Sequence, residues 1–172
     1  MLQDLIPKYL EAREVLNLDE ALMRYWIGSA LPTGTDIPII ANGMEILVNA
    51  WFRSERSKNK GTYLPMEEFS RLIEDGLANI ASKLGDNPYK DRFLRKMRNA
   101  NNKGSGERME SFFQELGLNI GTLEKKAINA RNRMIHSMIT TNGQEQLEDL
   151  IRISFAYRTL FHRVTLRILG YT

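Results

Sequence analysis

The stretch Ile37-Pro38-Ile39-Ile40-Ala41-Asn42-Gly43-Met44-Glu45-Ile46-Leu47-Val48-Asn49-Ala50-Trp51-Phe52 decides the fold. Ile40, Met44, Leu47, Val48, Trp51 and Phe52 recur at three- and four-residue spacings and fall on one broad face of a helix. The pattern runs on to about Lys58. Its second half is basic (Arg53, Arg56, Lys58, then Lys60), which predicts an end that reaches solvent.

The same periodicity extends in both directions. Leu2 to Leu16 has apolar residues at 2, 5, 6, 9, 10 and 16, with Pro7 in its first turns. Asp19 is placed to cap a second helix, Glu20 to Leu31, and Pro32-Thr33-Gly34-Thr35-Asp36 reads as a turn. Beyond the central stretch, Pro65 opens a helix carrying Phe69, Leu72, Ile73, Leu77, Ile80, Ala81 and Leu84, which stops at Gly85. Pro88 opens a short basic helix to about Ala100. Asn101 to Gly106 reads as the most flexible loop in the chain. Glu107 to Leu116 is helical and ends at Gly117. Thr122 caps a helix from Leu123 to about Met138, with Glu124 in its first turn. Asn142-Gly143 is a turn, and a final helix runs from Gln144 to Leu169 with Gly170 at its C′ position. Strand signals are almost absent, since the one β-branched run, Ile135 to Thr141, is short and interrupted. The expectation is a single domain over residues 1–172, an all-α bundle of roughly seven helical segments.

Composition narrows the chemistry. The chain has 172 residues, no Cys and 2 His. That length suits one domain and needs no covalent staple. Without cysteine there are no disulfides, thiolate zinc sites, iron–sulfur clusters or thiol nucleophiles. Two histidines leave little for a His-based metal site, although carboxylates could still hold Mg²⁺. No apolar run approaches the roughly 20 residues of a membrane span, and the N-terminus lacks a signal-peptide pattern, so a cytoplasmic protein with no membrane partner is expected.

The net charge of +3 is mild, but its distribution is uneven. Lys90, Arg92, Arg95, Lys96, Arg98, Lys103 and Arg108 are opposed only by Asp91 and Glu107 within that interval. From Leu150 onward Arg152, Arg158, Arg163 and Arg167 stand without an acid. A solvated helix face and a polyanion footprint both fit these runs. His162 among these arginines reads as a surface residue, and Trp26 and Trp51 as core. Gly104-Ser105-Gly106 is no phosphate loop, because no strand precedes it and no Gly-Lys-Ser/Thr follows.

His136 closes the segment Arg131-Asn132-Arg133-Met134-Ile135-His136 near the end of a predicted helix. Ala127, Ala130, Met134, Ile135 and Met138 would anchor that helix. Asn132 and His136, four apart, share one face, whereas Arg131 and His136 are splayed by about 140°. Within one chain that pair does not naturally converge; a long Arg side chain could wrap round, or a second copy of the helix could bring partners together.

The pattern Arg131-Asn132-x-x-x-His136 resembles the Arg-polar-x-x-x-His motif of the HEPN superfamily (higher eukaryotes and prokaryotes nucleotide-binding domains). The context is similar too: Ala127-Ile128-Asn129-Ala130 before the motif, a turn after it and a long last helix. Leu160-Phe161-His162-Arg163-Val164-Thr165-Leu166-Arg167-Ile168-Leu169-Gly170-Tyr171 is similar to endings of the Apea-like HEPN branch. Ala41-Asn42-Gly43-Met44-Glu45-Ile46-Leu47 resembles that branch's early helix.

The resemblance implies a HEPN-like helical bundle whose C-terminal helix–turn–helix carries the motif. It implies a metal-independent endoribonuclease, a toxin or an anti-phage abortive-infection effector, with Arg131, Asn132 and His136 as catalytic residues of a composite site across a homodimer. RNA would supply its own 2′-OH nucleophile, His136 would move a proton, and Arg131 would stabilise charge on phosphorus. Arg133, Arg95, Lys96 and Arg98 would contact RNA. Glu45 is either a helix-pairing carboxylate or an auxiliary residue of the site. No cofactor or metal is expected. An antitoxin or an N-terminal sensor is a further partner the resemblance admits, the chain then being the C-terminal part of a longer protein. The alternative is a non-catalytic HEPN module that binds nucleotides or a protein.

Overall fold

The structure is a computed structural model that describes residues 2–54, 57, 60–136 and 144–171, and side chains within these except those of residues 2 and 131–136. The described residues form eight helices: α1 (Leu2–Leu16), α2 (Leu18–Ser29), α3 (Asp36–Arg53), α4 (Met66–Leu84), α5 (Lys90–Arg98), α6 (Ser105–Glu115), α7 (Thr122–His136) and α8 (Gln144–Ile168). A 3₁₀ turn, Asn99–Asn101, follows α5. The architecture is all-α, and among the described residues no strand forms beyond an isolated bridge between Thr62 and Asn102. No helix of the described residues is long and apolar enough to cross a membrane.

α3 is the central element, as its apolar face requires. Ile37, Ile40, Met44 and Leu47 are completely buried. α1, α2, α6, α7 and α8 all pack against it. Phe112 of α6, Tyr157, Leu160, Phe161 and Val164 of α8, and Ala127 of α7 fill the space around it. The α2–α3 contact is the closest, and two glycines make it so. A Cβ on Gly43 would lie 2.8 Å from the Ala21 carbonyl oxygen, and one on Gly28 would lie 2.6 Å from Ile40 Cγ1.

Several local expectations change. Asp19 is not the cap of α2: the helix starts at Leu18, after Asn17 in the left-handed region (φ 54°), and Asp19 sits in the first turn. Thr122 likewise is the first helical residue of α7 and not its cap. The Gly121 N–H donates to Glu124 Oε2 at 2.7 Å, so a carboxylate one turn on satisfies that free donor. Asp36 is more than a turn residue. It opens α3 fully buried, accepting the Gly34 N–H at 2.8 Å and the Ser154 hydroxyl, and it binds Arg158.

The segment Asn101 to Gly106 is not a flexible loop. Ser105 already begins α6, and Asn101 is buried. The Asn101 side chain accepts the Leu64 N–H at 2.9 Å and donates to the Leu64 carbonyl at 2.8 Å. Tyr63 N–H to Asn101 O (2.9 Å) and Lys103 N–H to Gly61 O (3.0 Å) complete the clamp. The α4–α5 hairpin therefore leaves the body through a pinned base.

Candidate functional site

α7 is fixed at its start and along its inner face. Glu124 carries the Arg163 guanidinium, whose other nitrogen donates to the Asn119 carbonyl at 2.9 Å. Ala127 and Ala130 are buried, and α7 packs on α3 and α8. The α7 backbone is helical through His136, so the Arg131-Asn132-x-x-x-His136 segment occupies its last turns. The side chains of Arg131, Asn132, Arg133 and His136 lie outside the described residues, as do those of Met134, Ile135 and Met138 and the expected turn at Asn142-Gly143.

On α3, Glu45 is half-buried and lines a cleft of about 270 Å³ together with Val48, Asn49, Ser105, Arg108 and Met109. Glu45, Asn49 and Arg53 follow one another at four-residue spacing, so they form one polar stripe along α3. Arg53 Nε donates back to the Asn49 carbonyl at 3.2 Å. From α6, Arg108 lays its guanidinium over the Phe52 ring, 5.4 Å from its centroid. Arg108 Nε is buried and has no hydrogen-bond partner. Burial pushes the Arg108 pKa below its ordinary value, and the charge of Arg53 pushes it the same way. Among the described residues neither guanidinium has a carboxylate partner. This cleft combines a carboxylate with the Arg108 cation, on which the nearby Arg53 charge also acts, a setting that favours an anion beside Arg108. The individual runs of charge do not reveal it, because Arg53 and Arg108 come from different helices. The four-residue ladder along α3 is the one local signal.

The basic segment divides. Arg95 and Lys96 are exposed on the outer side of α5, whereas Arg98 lines the groove between α4 and α5. The C-terminal arginines are mostly internal clamps: Arg158 holds Asp36, Arg163 holds Glu124, and Arg167 Nε donates to the Leu116 carbonyl at 2.8 Å. Arg152 alone of these four stays exposed, so the last helix offers little to a polyanion. His162 is exposed and lies against Tyr25, with ring centroids 4.8 Å apart. Trp51 is partly buried, and its indole donates to Glu115 Oε2 at 2.8 Å. Trp26 is not a core residue, being 70% exposed, with its ring T-shaped against that of Tyr25.

The α7–α8 pair presents Leu123, Leu147, Ile151 and Phe155 to solvent, Phe155 at 65% exposure. Leu123, Ile151 and Phe155 share one shallow depression. Among the described residues no group of three or more His, Asp or Glu side chains gathers into a metal-ligand set. No family model, curated protein or solved structure matches the chain.

Proposed function

We propose that the protein is a metal-independent endoribonuclease of the HEPN type, working as a homodimer. The observation that carries this reading is the Arg131-Asn132-x-x-x-His136 pattern on the last turns of α7, a helix seated between the central α3 and the long α8. The splay of Arg131 and His136 around one helix asks for a second copy, and the unpartnered Leu123, Ile151 and Phe155 on the same helix pair supply an apolar surface for it.

The chemistry follows from the residue types. The ribose 2′-OH attacks phosphorus and the 5′-oxygen leaves. A 2′,3′-cyclic phosphate and a 5′-hydroxyl are formed. His136 takes or gives the proton, the role an imidazole can fill at neutral pH. Arg131 offers paired N–H donors to the non-bridging oxygens as charge builds. Asn132, one turn from His136, orients the ring or the phosphate. The cleft of Glu45, Asn49 and Arg108 then holds flanking backbone, Arg108 facing its phosphates, while Arg133, Arg95 and Lys96 add outer contacts. A cell would use such an activity as a toxin or an abortive-infection effector. The test is cleavage of labelled RNA in EDTA by the wild type beside His136→Ala, with end-group analysis of the fragments. A folded protein that retains RNA and cuts none would instead be a binding module.

A further inference from the structure

The α4–α5 hairpin carries an unfinished interface. Phe69, Ile73, Leu77, Ile80, Ala81 and Leu84 form one apolar stripe on α4, yet none of the 19 residues of α4 is buried. A stripe of that kind is ordinarily covered. α5 has only 9 residues, so it spans about 14 Å of a helix about 28 Å long. Between the two helices lies an open groove of about 500 Å³. Leu72 on α4, and Phe93 and Met97 on α5, extend the exposed apolar surface.

The charges on the hairpin say what covers it. α4 holds four acidic side chains against two basic ones, a net −2, and α5 holds five basic side chains against one acidic, a net +4. Among the described residues no ion pair engages any of them, and Lys90 alone donates to a backbone carbonyl, that of Gly85, at 3.1 Å. The groove itself has two charged liners of opposite sign, Glu74 on the α4 side and Arg98 on the α5 side. A two-fold axis through such a groove sets each sign against the other, the self-complementarity an isologous contact requires. A polyanion laid in it would meet Glu74 within the groove and the other α4 carboxylates beside it.

We propose that a second copy of this chain seats in the groove. The two hairpins pack face to face as a four-helix bundle, with Glu74 of one copy opposite Arg98 of the other and the reverse. Arg95 and Lys96, on the outer side of α5, stay free in that dimer. The proposal stands on the hairpin alone and does not rest on the ribonuclease reading.

Sedimentation equilibrium of the full chain tests it. The wild type is expected to associate through the hairpin at micromolar concentration, as a dimer by this contact alone and as a larger assembly where the α7–α8 face pairs as well. Ile73→Glu with Leu77→Glu is expected to lose the hairpin contact and halve the assembled mass with its helical circular dichroism kept, because none of the α4 residues is buried in the body. Glu74→Arg and Arg98→Glu should each weaken the dimer about tenfold or more, and the two together should restore it. A monomeric wild type overturns the proposal. So does a dimer indifferent to the stripe variant and to both single charge reversals, which would move the contact to Leu123, Ile151 and Phe155. A monomer whose RNA retention is lost in the stripe variant overturns it in favour of an RNA surface. Cleavage assayed on the same preparations separates the two accounts: a dimer that obeys the charge swap but cuts no RNA keeps this interface and defeats the ribonuclease reading.

Discussion

Arg158 of α8 places both Nε (3.0 Å) and Nη2 (2.8 Å) on one oxygen, Oδ2, of Asp36 at the start of α3. Asp36 is fully buried, whereas the Arg158 side chain is 23% exposed. Removing Arg158 therefore strands a carboxylate beneath the surface. Arg158→Ala should cost about 3 kcal/mol or more, read as a lower urea midpoint with an unchanged slope. An Asp36→Asn, Arg158→Met double variant should recover much of that loss, since it removes both charges.

The α2–α3 crossing gives a second stability test. A Cβ on Gly43 meets the Ala21 carbonyl oxygen at 2.8 Å and Arg24 Cβ at 3.1 Å, so backbone has to move. Gly43→Ala should lower stability by about 1–3 kcal/mol despite the better helix propensity of Ala. Gly76→Ala on α4 meets nothing within 4 Å and should be neutral or stabilising. Thermal melts of the two variants side by side check the contrast.

These relationships mark how far the sequence could be read. The all-α class, the central α3 and the long α8 are legible because their apolar spacing is local and regular. Asn101 is not, because its amide matches the backbone N–H and carbonyl of Leu64, far away along the chain. Arg158, Arg163 and Arg167 read as an uncompensated basic run because their acceptors, Asp36, Glu124 and the Leu116 carbonyl, come from other elements. The motif on α7 is legible as a spacing, and the cleft of Glu45 and Arg108 is not, since α3 and α6 each contribute one side.

Tyr63 donates to Glu107 Oε2 at 2.5 Å at the base of the hairpin. That bond, then the one from the Gly104 N–H, holds the Glu107 carboxyl below its ordinary pKa, and it holds the Tyr63 phenol above its own. The Glu107 contribution to stability is thus present above the unfolded carboxylate pKa and is lost as pH falls through the lowered one. The Tyr63 contribution is present below the ordinary phenol pKa and is lost as pH rises through the raised one. Carbon-detected titration of Glu107 should show the low value, and Tyr63→Phe should move it back up. An unchanged Glu107 titration in Tyr63→Phe would contradict the pairing.

Arg108 is predicted to act on RNA binding and not on the chemical step. Arg108→Gln should raise KM about tenfold or more and leave kcat nearly unchanged, as expected when one charge-assisted contact to a flanking phosphate is lost. Its effect should shrink at high salt, where the contact is already screened. Arg95→Glu with Lys96→Glu should weaken binding and reduce the salt slope. A fall in kcat at constant KM for Arg108→Gln would contradict a flanking-phosphate role.

The most direct measurement of the central claim is single-turnover cleavage of a labelled RNA in EDTA, with the wild type, His136→Ala and Arg131→Ala compared at equal fold and mass. The account predicts wild-type fragments ending in 2′,3′-cyclic phosphate and 5′-hydroxyl. It predicts a loss of about 10²–10⁴-fold for His136→Ala and about 10²–10³-fold for Arg131→Ala. It predicts no cutting of the matching DNA, which lacks the 2′-OH. Fragments with 5′-phosphates, activity restored only by Mg²⁺, or a His136→Ala protein as active as the wild type would contradict it.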